Sequence, residues 1–112
     1  FMIKNGGGTI INILSVVTKK IFTKSSAYSA SKYGLLGYTN SLREEVRKHN
    51  IRIINVIPGA TQTPMWSNEI RDKFGDRMMS VNEIAQVVVW LCLQKGTMVT
   101  EEIVLRPILG DL

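Results

Sequence analysis

Ile51-Arg52-Ile53-Ile54-Asn55-Val56-Ile57-Pro58-Gly59 decides the fold. A nearly unbroken β-branched run from Ile51 to Ile57, halted by Pro58-Gly59, reads as a strand covered on both faces. A second run of that kind, Thr9-Ile10-Ile11-Asn12-Ile13-Leu14, lies upstream behind Gly6-Gly7-Gly8, and a third, Glu102 to Arg106, is stopped by Pro107. Between the first two runs, about Ser26 to His49 is helical in period. Leu35, Thr39, Leu42 and Val46 recur at three- and four-residue spacing, with Ser25 or Ser26 as N-cap. Ser80 to about Lys95 is a second helix, opened by Ser80 with Glu83 three residues on and closed by Gly96. Strand, helix, strand, helix, strand predicts right-handed crossovers and a parallel sheet, half of a doubly wound α/β fold.

Composition sets the bounds. The 112 residues, 45% hydrophobic and 21% charged, are those of an ordinary globular chain. A single cysteine, Cys92, excludes an internal disulfide framework, and a single histidine, His49, leaves no Cys/His cluster for a metal. The longest apolar run, Val87 to Leu93, is too short to cross a bilayer, and no basic stretch precedes an apolar one as in a signal peptide; the expectation is a cytoplasmic chain without membrane partners. The net charge of +5 raises the question of an anionic partner. Its distribution argues against nucleic acid. Arg43, Glu44, Glu45, Arg47 and Lys48 mix both signs on one helix and read as a solvated face with a Glu44–Lys48 pair. Only Lys19, Lys20 and Lys24 cluster, and no aromatics interleave with them for base stacking.

In a parallel sheet, ligands sit off the carboxyl ends of the strands. Ser15 follows the first strand, and Pro58-Gly59-Ala60-Thr61-Gln62-Thr63-Pro64 follows the second. Adjacent strands lie about 4.8 Å apart, so if the two pair, both segments open on one rim. The start of the long helix returns near it with Tyr28 and Lys32, four residues apart on one helical face. Singly these signals are weak: a Tyr followed four later by Lys arises by chance in roughly one such chain in five. Together, in this order and spacing, they are specific.

The strand Ile10-Ile11-Asn12-Ile13-Leu14-Ser15, the Tyr28-x-x-x-Lys32 helix with Ser29, Ala30 and Ser31, and Pro58-Gly59-x-x-x-Thr63 resemble the C-terminal half of a classical short-chain dehydrogenase/reductase. The likeness runs from about Gly7 to Met65 and weakens beyond. It implies a partial Rossmann-like sheet lacking the N-terminal nucleotide-binding half: residues 1–112 as a single partial domain, with a substrate-binding segment at about 64–79. The opening on Phe1 fits that expectation, and Gly6-Gly7-Gly8, which leads into a strand, is not a phosphate turn. The implied activity is NAD(P)-dependent hydride transfer between nicotinamide and a secondary alcohol or ketone. A ketone gaining hydride at carbon needs a proton at oxygen. The resemblance gives that role to Tyr28 as general acid/base, with Lys32 favouring the phenolate and holding the nicotinamide ribose, and Ser15 holding and polarising the substrate oxygen. Tyr28, Lys32, Pro58, Gly59, Thr61 and Thr63 would face the cofactor, with Ser15, Met65 and Trp66 on the substrate and no metal. NAD and NADP stay open, and residues 1–112 alone are expected to be inactive.

Four expectations remain. Gly34 and Gly37 each cost about 1 kcal/mol in a helix interior, which points to another backbone packed there. A homo-oligomer through helix 26–49 follows, and the resemblance places the equivalent helix at a dimer interface. The alternative function is a non-catalytic, self-associating module using that helix. Met78 and Met79 read equally as substrate wall or core, and Cys92 as a buried small hydrophobe.

Overall fold

In the computed structural model, which describes residues 1–112, the deciding run is the central strand β2, Ile51–Pro58, of a parallel three-stranded sheet ordered β1-β2-β3. β1, Gly8–Ile13, pairs with it from Gly8↔Ile51 to Ile13↔Val56, and β3, Glu102–Leu105, from Asn55↔Glu102 to Pro58↔Leu105. Parallel neighbours need a crossover. α1, Ser26–Val46, joins β1 to β2; α2, Asn68–Phe74, and α3, Val81–Leu93, lie between β2 and β3. The α/β parallel architecture is the predicted one, and α2 falls inside the expected substrate-binding segment.

Alternation along β2 assigns its faces. Ile54 and Val56 pack with Leu91, Val87 and Val88 of α3, while Ile57 packs with Leu14, Val16 and, from α1, Leu35 and Leu36. Each such buried aliphatic contributes about 1.5–3 kcal/mol relative to exposure. β1, predicted to be covered on both faces, is only half-buried, and Ile13 is 45% exposed. It has one neighbour in the sheet, and β3, the other edge, alternates between exposed and half-buried residues.

Gly7 shows why the entry is glycine-rich. Its φ is +147°, and a Cβ there would lie 2.6 Å from the Asn50 carbonyl oxygen. Asn50 itself closes the turn after α1 in the left-handed region, at φ 58°, and its carbonyl accepts from the Gly8 N–H.

The local structure departs from the sequence pattern at several points. Ser25 stands at the N-cap of α1, but its hydroxyl donates to the Phe22 carbonyl rather than accepting from the first turn. The regular helix stops at Val46, and residues Arg47–His49 continue as a 3₁₀ turn. Ser80 and Glu83 form the expected capping box, but α3 ends at Leu93 with Gln94 extended, ahead of Gly96. Cys92 is exposed. The segment around it is apolar on every side, so sequence alone hid that Val87, Val88 and Leu91 face the sheet while Val89, Trp90 and Leu93 face out. Arg43, read as solvated, is buried. Its Nε donates to the Ile53 carbonyl, Nη2 to the Glu101 carbonyl and Nη1 to Asn40 Oδ1. Glu44 pairs with Arg47 rather than Lys48. No helix is long and apolar enough to cross a membrane.

Candidate active site

The β1 ladder runs one residue past the strand, where the Leu14 N–H donates to the Val56 carbonyl at 2.8 Å. Ser15 then turns the chain into a short 3₁₀ helix, Val16–Thr18. Its Oγ accepts from the Val17 N–H at 3.3 Å and its carbonyl from the Thr18 hydroxyl at 2.8 Å. Ser15 is thereby buried and fixed by its own turn.

α1 is pinned to the same end of β1. Lys32 Nζ donates to the Ile13 carbonyl at 3.3 Å and lies 5.6 Å from the centre of the Tyr28 ring, within cation–π range. Further along the helix, the Thr39 hydroxyl donates to carbonyls one turn back and accepts from Asn55 Nδ2 at 3.1 Å, while Asn55 Oδ1 faces Asn12 Nδ2 at 3.4 Å. Asn55 is fully buried, and these partners satisfy it. The polar ties fix where along the sheet α1 sits, and so where Tyr28 emerges.

The loop after β2 is held from both sides. The Gly59 N–H donates to the Leu105 carbonyl at 2.7 Å, and the Thr61 hydroxyl to the Gly59 carbonyl at 3.0 Å. Met79 N–H and carbonyl bond Ala60 and Gln62 at 3.0 and 2.9 Å, a one-residue parallel bridge. The Trp66 indole N–H donates to the Thr61 carbonyl at 3.0 Å.

The nine residues named from sequence, Ser15, Tyr28, Lys32, Pro58, Gly59, Thr61, Thr63, Met65 and Trp66, line one cavity of about 840 Å³. Met65 is 83% exposed at its mouth. Met78 is buried and Met79 acts through its backbone, and neither lines the cavity. Sequence reasoning missed Val17, Phe22, Ile84, Asp111 and Leu112. Ile84 was within reach, one turn inside the recognised cap; Asp111 and Leu112 carry no motif. The basic cluster is largely occupied: Lys19 pairs with Glu102, and Lys20 faces Asp111.

The clear titration shifts lie at the far end of α1. The Arg47 guanidinium, hydrogen-bonded to Glu44, holds that carboxyl below its ordinary value, and Glu44 and Glu101 push Arg47 upward.

The cavity wall carries donors that the chain itself does not use. The Thr61 N–H has no partner within the chain, and the Thr63 hydroxyl accepts from the Met65 N–H while its own proton stays free. These two donors, with the spare protons of the Lys32 ammonium, are the groups in the lining that could hold a ligand's acceptor oxygens.

The family model for short chain dehydrogenases matches residues 1–73. The chain belongs to the short-chain dehydrogenase family. Among its relatives, sepiapterin reductase of Chlorobaculum tepidum is 42% identical over 111 residues, covering 99% of the chain and 45% of the relative. Carbonyl reductase family member 4 of Xenopus laevis is 41% identical over 95 residues, 80% of the chain and 40% of the relative. The crystal structure of acetoin dehydrogenase from Salmonella typhimurium superimposes with a TM-score of 0.77 at 35% identity, covering 98% of the chain and 48% of that protein. A 7 alpha-hydroxysteroid dehydrogenase complexed with NADH and 7-oxo glycochenodeoxycholic acid shares the fold, with a TM-score of 0.78 at 22% identity. The chain thus spans less than half the length of each of these proteins.

Proposed function

We propose that this chain is the catalytic half of an NAD(P)-dependent oxidoreductase acting on a secondary alcohol or ketone. The observation that carries the reading is the convergence of Ser15, Tyr28, Lys32 and the Pro58–Thr63 loop on one cavity at the carboxyl ends of β1 and β2. The names of the relatives, reductases and dehydrogenases, support it. When bound, the nicotinamide supplies or accepts the hydride. The chain orients and manages the proton. Ser15, its Oγ position fixed by the Val17 N–H, donates a hydrogen bond to the substrate oxygen without giving up its proton. Tyr28 gives that oxygen a proton during ketone reduction and takes it back in alcohol oxidation, with Lys32 Nζ held beside its ring. Thr61 N–H and the Thr63 hydroxyl hold the carboxamide, and Lys32 the ribose. Nothing in these roles selects NAD over NADP. Residues 1–112 contain no glycine-rich turn opening a helix after a strand, so turnover is assigned to the longer protein in a reducing cytoplasm and not to this stretch alone.

The test is Tyr28→Phe in the full-length protein, followed by nicotinamide absorbance with a ketone substrate. Turnover falls by a factor of about 10²–10⁴, the usual worth of a positioned proton donor, while the far-ultraviolet circular dichroism is unchanged. Near-normal turnover would sink the assignment.

A self-association reading accompanies it. Open space surrounds Gly34 and Gly37, and Tyr33 and Tyr38 beside them are exposed. The glycines therefore do not serve packing within this chain, and a second copy against α1 gives them a use. Sedimentation of the full-length protein gives a dimer or larger; a monomer at micromolar concentration removes this reading and leaves the catalytic one standing.

A further inference from the structure

One segment of the cavity wall belongs to none of the motifs above. After β3 the chain turns at Pro107, with the Gly110 N–H donating to the Pro107 carbonyl at 2.8 Å, and brings Asp111 and Leu112 to the cavity. Cations from three separate places hold it there. Lys20, from the stretch before α1, lies 3.7 Å from Asp111 Oδ2, and Arg106 Nε is 3.4 Å from Asp111 Oδ1. Arg77, from the substrate-binding segment, donates through Nη2 to the carbonyls of Leu109 and Asp111, both at 3.2 Å. The Asp111 side chain is only 10% exposed, whereas Ile108 and Leu109 of the same segment stand out in solvent. Pro107 anchors the start of the turn as a buried residue, while Ile108 and Leu109 are exposed and Leu112 is partly so, which leaves the polar clasp to fix the far end of the turn. A single exposed ion pair would contribute little, but a largely covered carboxylate with two cations, beside a third binding its backbone, is a network.

The chemistry of the wall follows. Leu112 lines the cavity together with Val17, Phe22 and Ile84, and Lys32 is the one cation in the lining. The Asp111 carboxylate is already paired, and no further positive group waits there for an anionic substrate.

We propose that Asp111 is a positioning residue that clasps Pro107–Leu112 against the cavity, and that Leu112 is a specificity-determining wall for an uncharged, apolar substituent on the substrate's carbonyl carbon. The proposal rests on the oxidoreductase reading and names its substrate class: neutral ketones and secondary alcohols with an aliphatic arm, in preference to keto acids.

The experiment uses the full-length enzyme with straight-chain 2-ketones from butanone to 2-octanone and a keto acid of matching length. In the parent protein kcat/KM rises along the ketones and exceeds that of the keto acid. Leu112→Ala lowers the ratio of kcat/KM for 2-octanone to that for butanone about tenfold, the scale set by a few carbons in an apolar pocket, and the loss appears in KM rather than kcat. Asp111→Asn lowers the same ratio and speeds amide hydrogen exchange across 107–112, and Asp111→Glu restores both. An unchanged ratio in Leu112→Ala and Asp111→Asn overturns the proposal, as does a parent that prefers the keto acid. Exchange reads the clasp without turnover, so a failure of Tyr28→Phe to abolish activity condemns the oxidoreductase reading separately.

Discussion

The two faces of the sheet are built differently. Against α3 the contact is entirely apolar: Ile54 and Val56 meet Leu91, Val87 and Val88, with Ile11, Ile103 and Leu105 around them. Against α1 the aliphatic contact of Ile57 with Leu35 and Leu36 is joined by directional bonds, Asn55 to Thr39 and Arg43 to the Ile53 and Glu101 carbonyls. Apolar packing tolerates small shifts and substitutions of similar volume, whereas a buried hydrogen bond left unmade costs its full desolvation penalty. The directional face belongs to the helix that delivers Tyr28 and Lys32. One face supplies stability; the other supplies stability and register.

That contrast can be broken by mutation. The largest expected effect on stability is Leu91→Ala, a loss of about 3 kcal/mol from transfer and cavity terms in chemical denaturation, with turnover per folded molecule of the full-length enzyme retained. Asn55→Ala costs less, about 2 kcal/mol, because it strips the buried partner of Thr39. It also lowers turnover per folded molecule, since α1 loses a tie that sets its register. The reverse pattern, with Leu91→Ala impairing turnover and Asn55→Ala sparing it, would break the comparison. Thr39→Val sharpens it: a double-mutant cycle with Asn55→Ala gives a coupling of about 1 kcal/mol, where an independent pair would give none. Ser80→Ala, which removes half of the α3 capping box, costs about 1 kcal/mol in the same denaturation without touching the rate.

The smallest effect concerns pH. Glu44 titrates below its ordinary 4.5 in the folded chain because of its hydrogen bond to Arg47. Its contribution to stability is therefore present above that ordinary value and fades as the pH falls through the lowered one. Glu44→Gln removes this pH-dependent increment, so the stability gap between parent and variant closes in acid; a gap that persists there would exclude the ion pair as its source.

The same contrast explains what the sequence made readable. β2 was plain because a buried parallel strand is hydrophobic along its whole length, and the Ser80/Glu83 box because capping is local chemistry. The convergence of Ser15, Tyr28, Lys32 and the loop after Pro58 was legible because strand ends in a parallel sheet share a rim. Arg43 was misread because an arginine among alternating charges looks the same whether its guanidinium meets water or the carbonyls of a strand ten residues on. Cys92 was misread because an all-apolar helical run does not say which side is inward. Asp111 and Leu112 were invisible for a different reason: their partners, Lys20 and Arg77, are distant in sequence and meet them only in the folded chain.

The parallel pairing also governs how the unit assembles in time. No rung of this sheet is local: Asn12 and Asn55, opposite one another in β1 and β2, are 43 residues apart, and β3 reaches β2 only after α2 and α3 have been traversed. Each rung must close a long loop before any hydrogen bond rewards it, and topologies of that kind fold slowly for their size. The long helix with its Thr39 and Arg43 ties is then a kinetic intermediary as well as a scaffold, because forming it shortens the span the first two strands must bridge. Mutations at those two positions are expected to slow refolding, whereas Leu91, on a helix that docks against a sheet already begun, is expected chiefly to hasten unfolding.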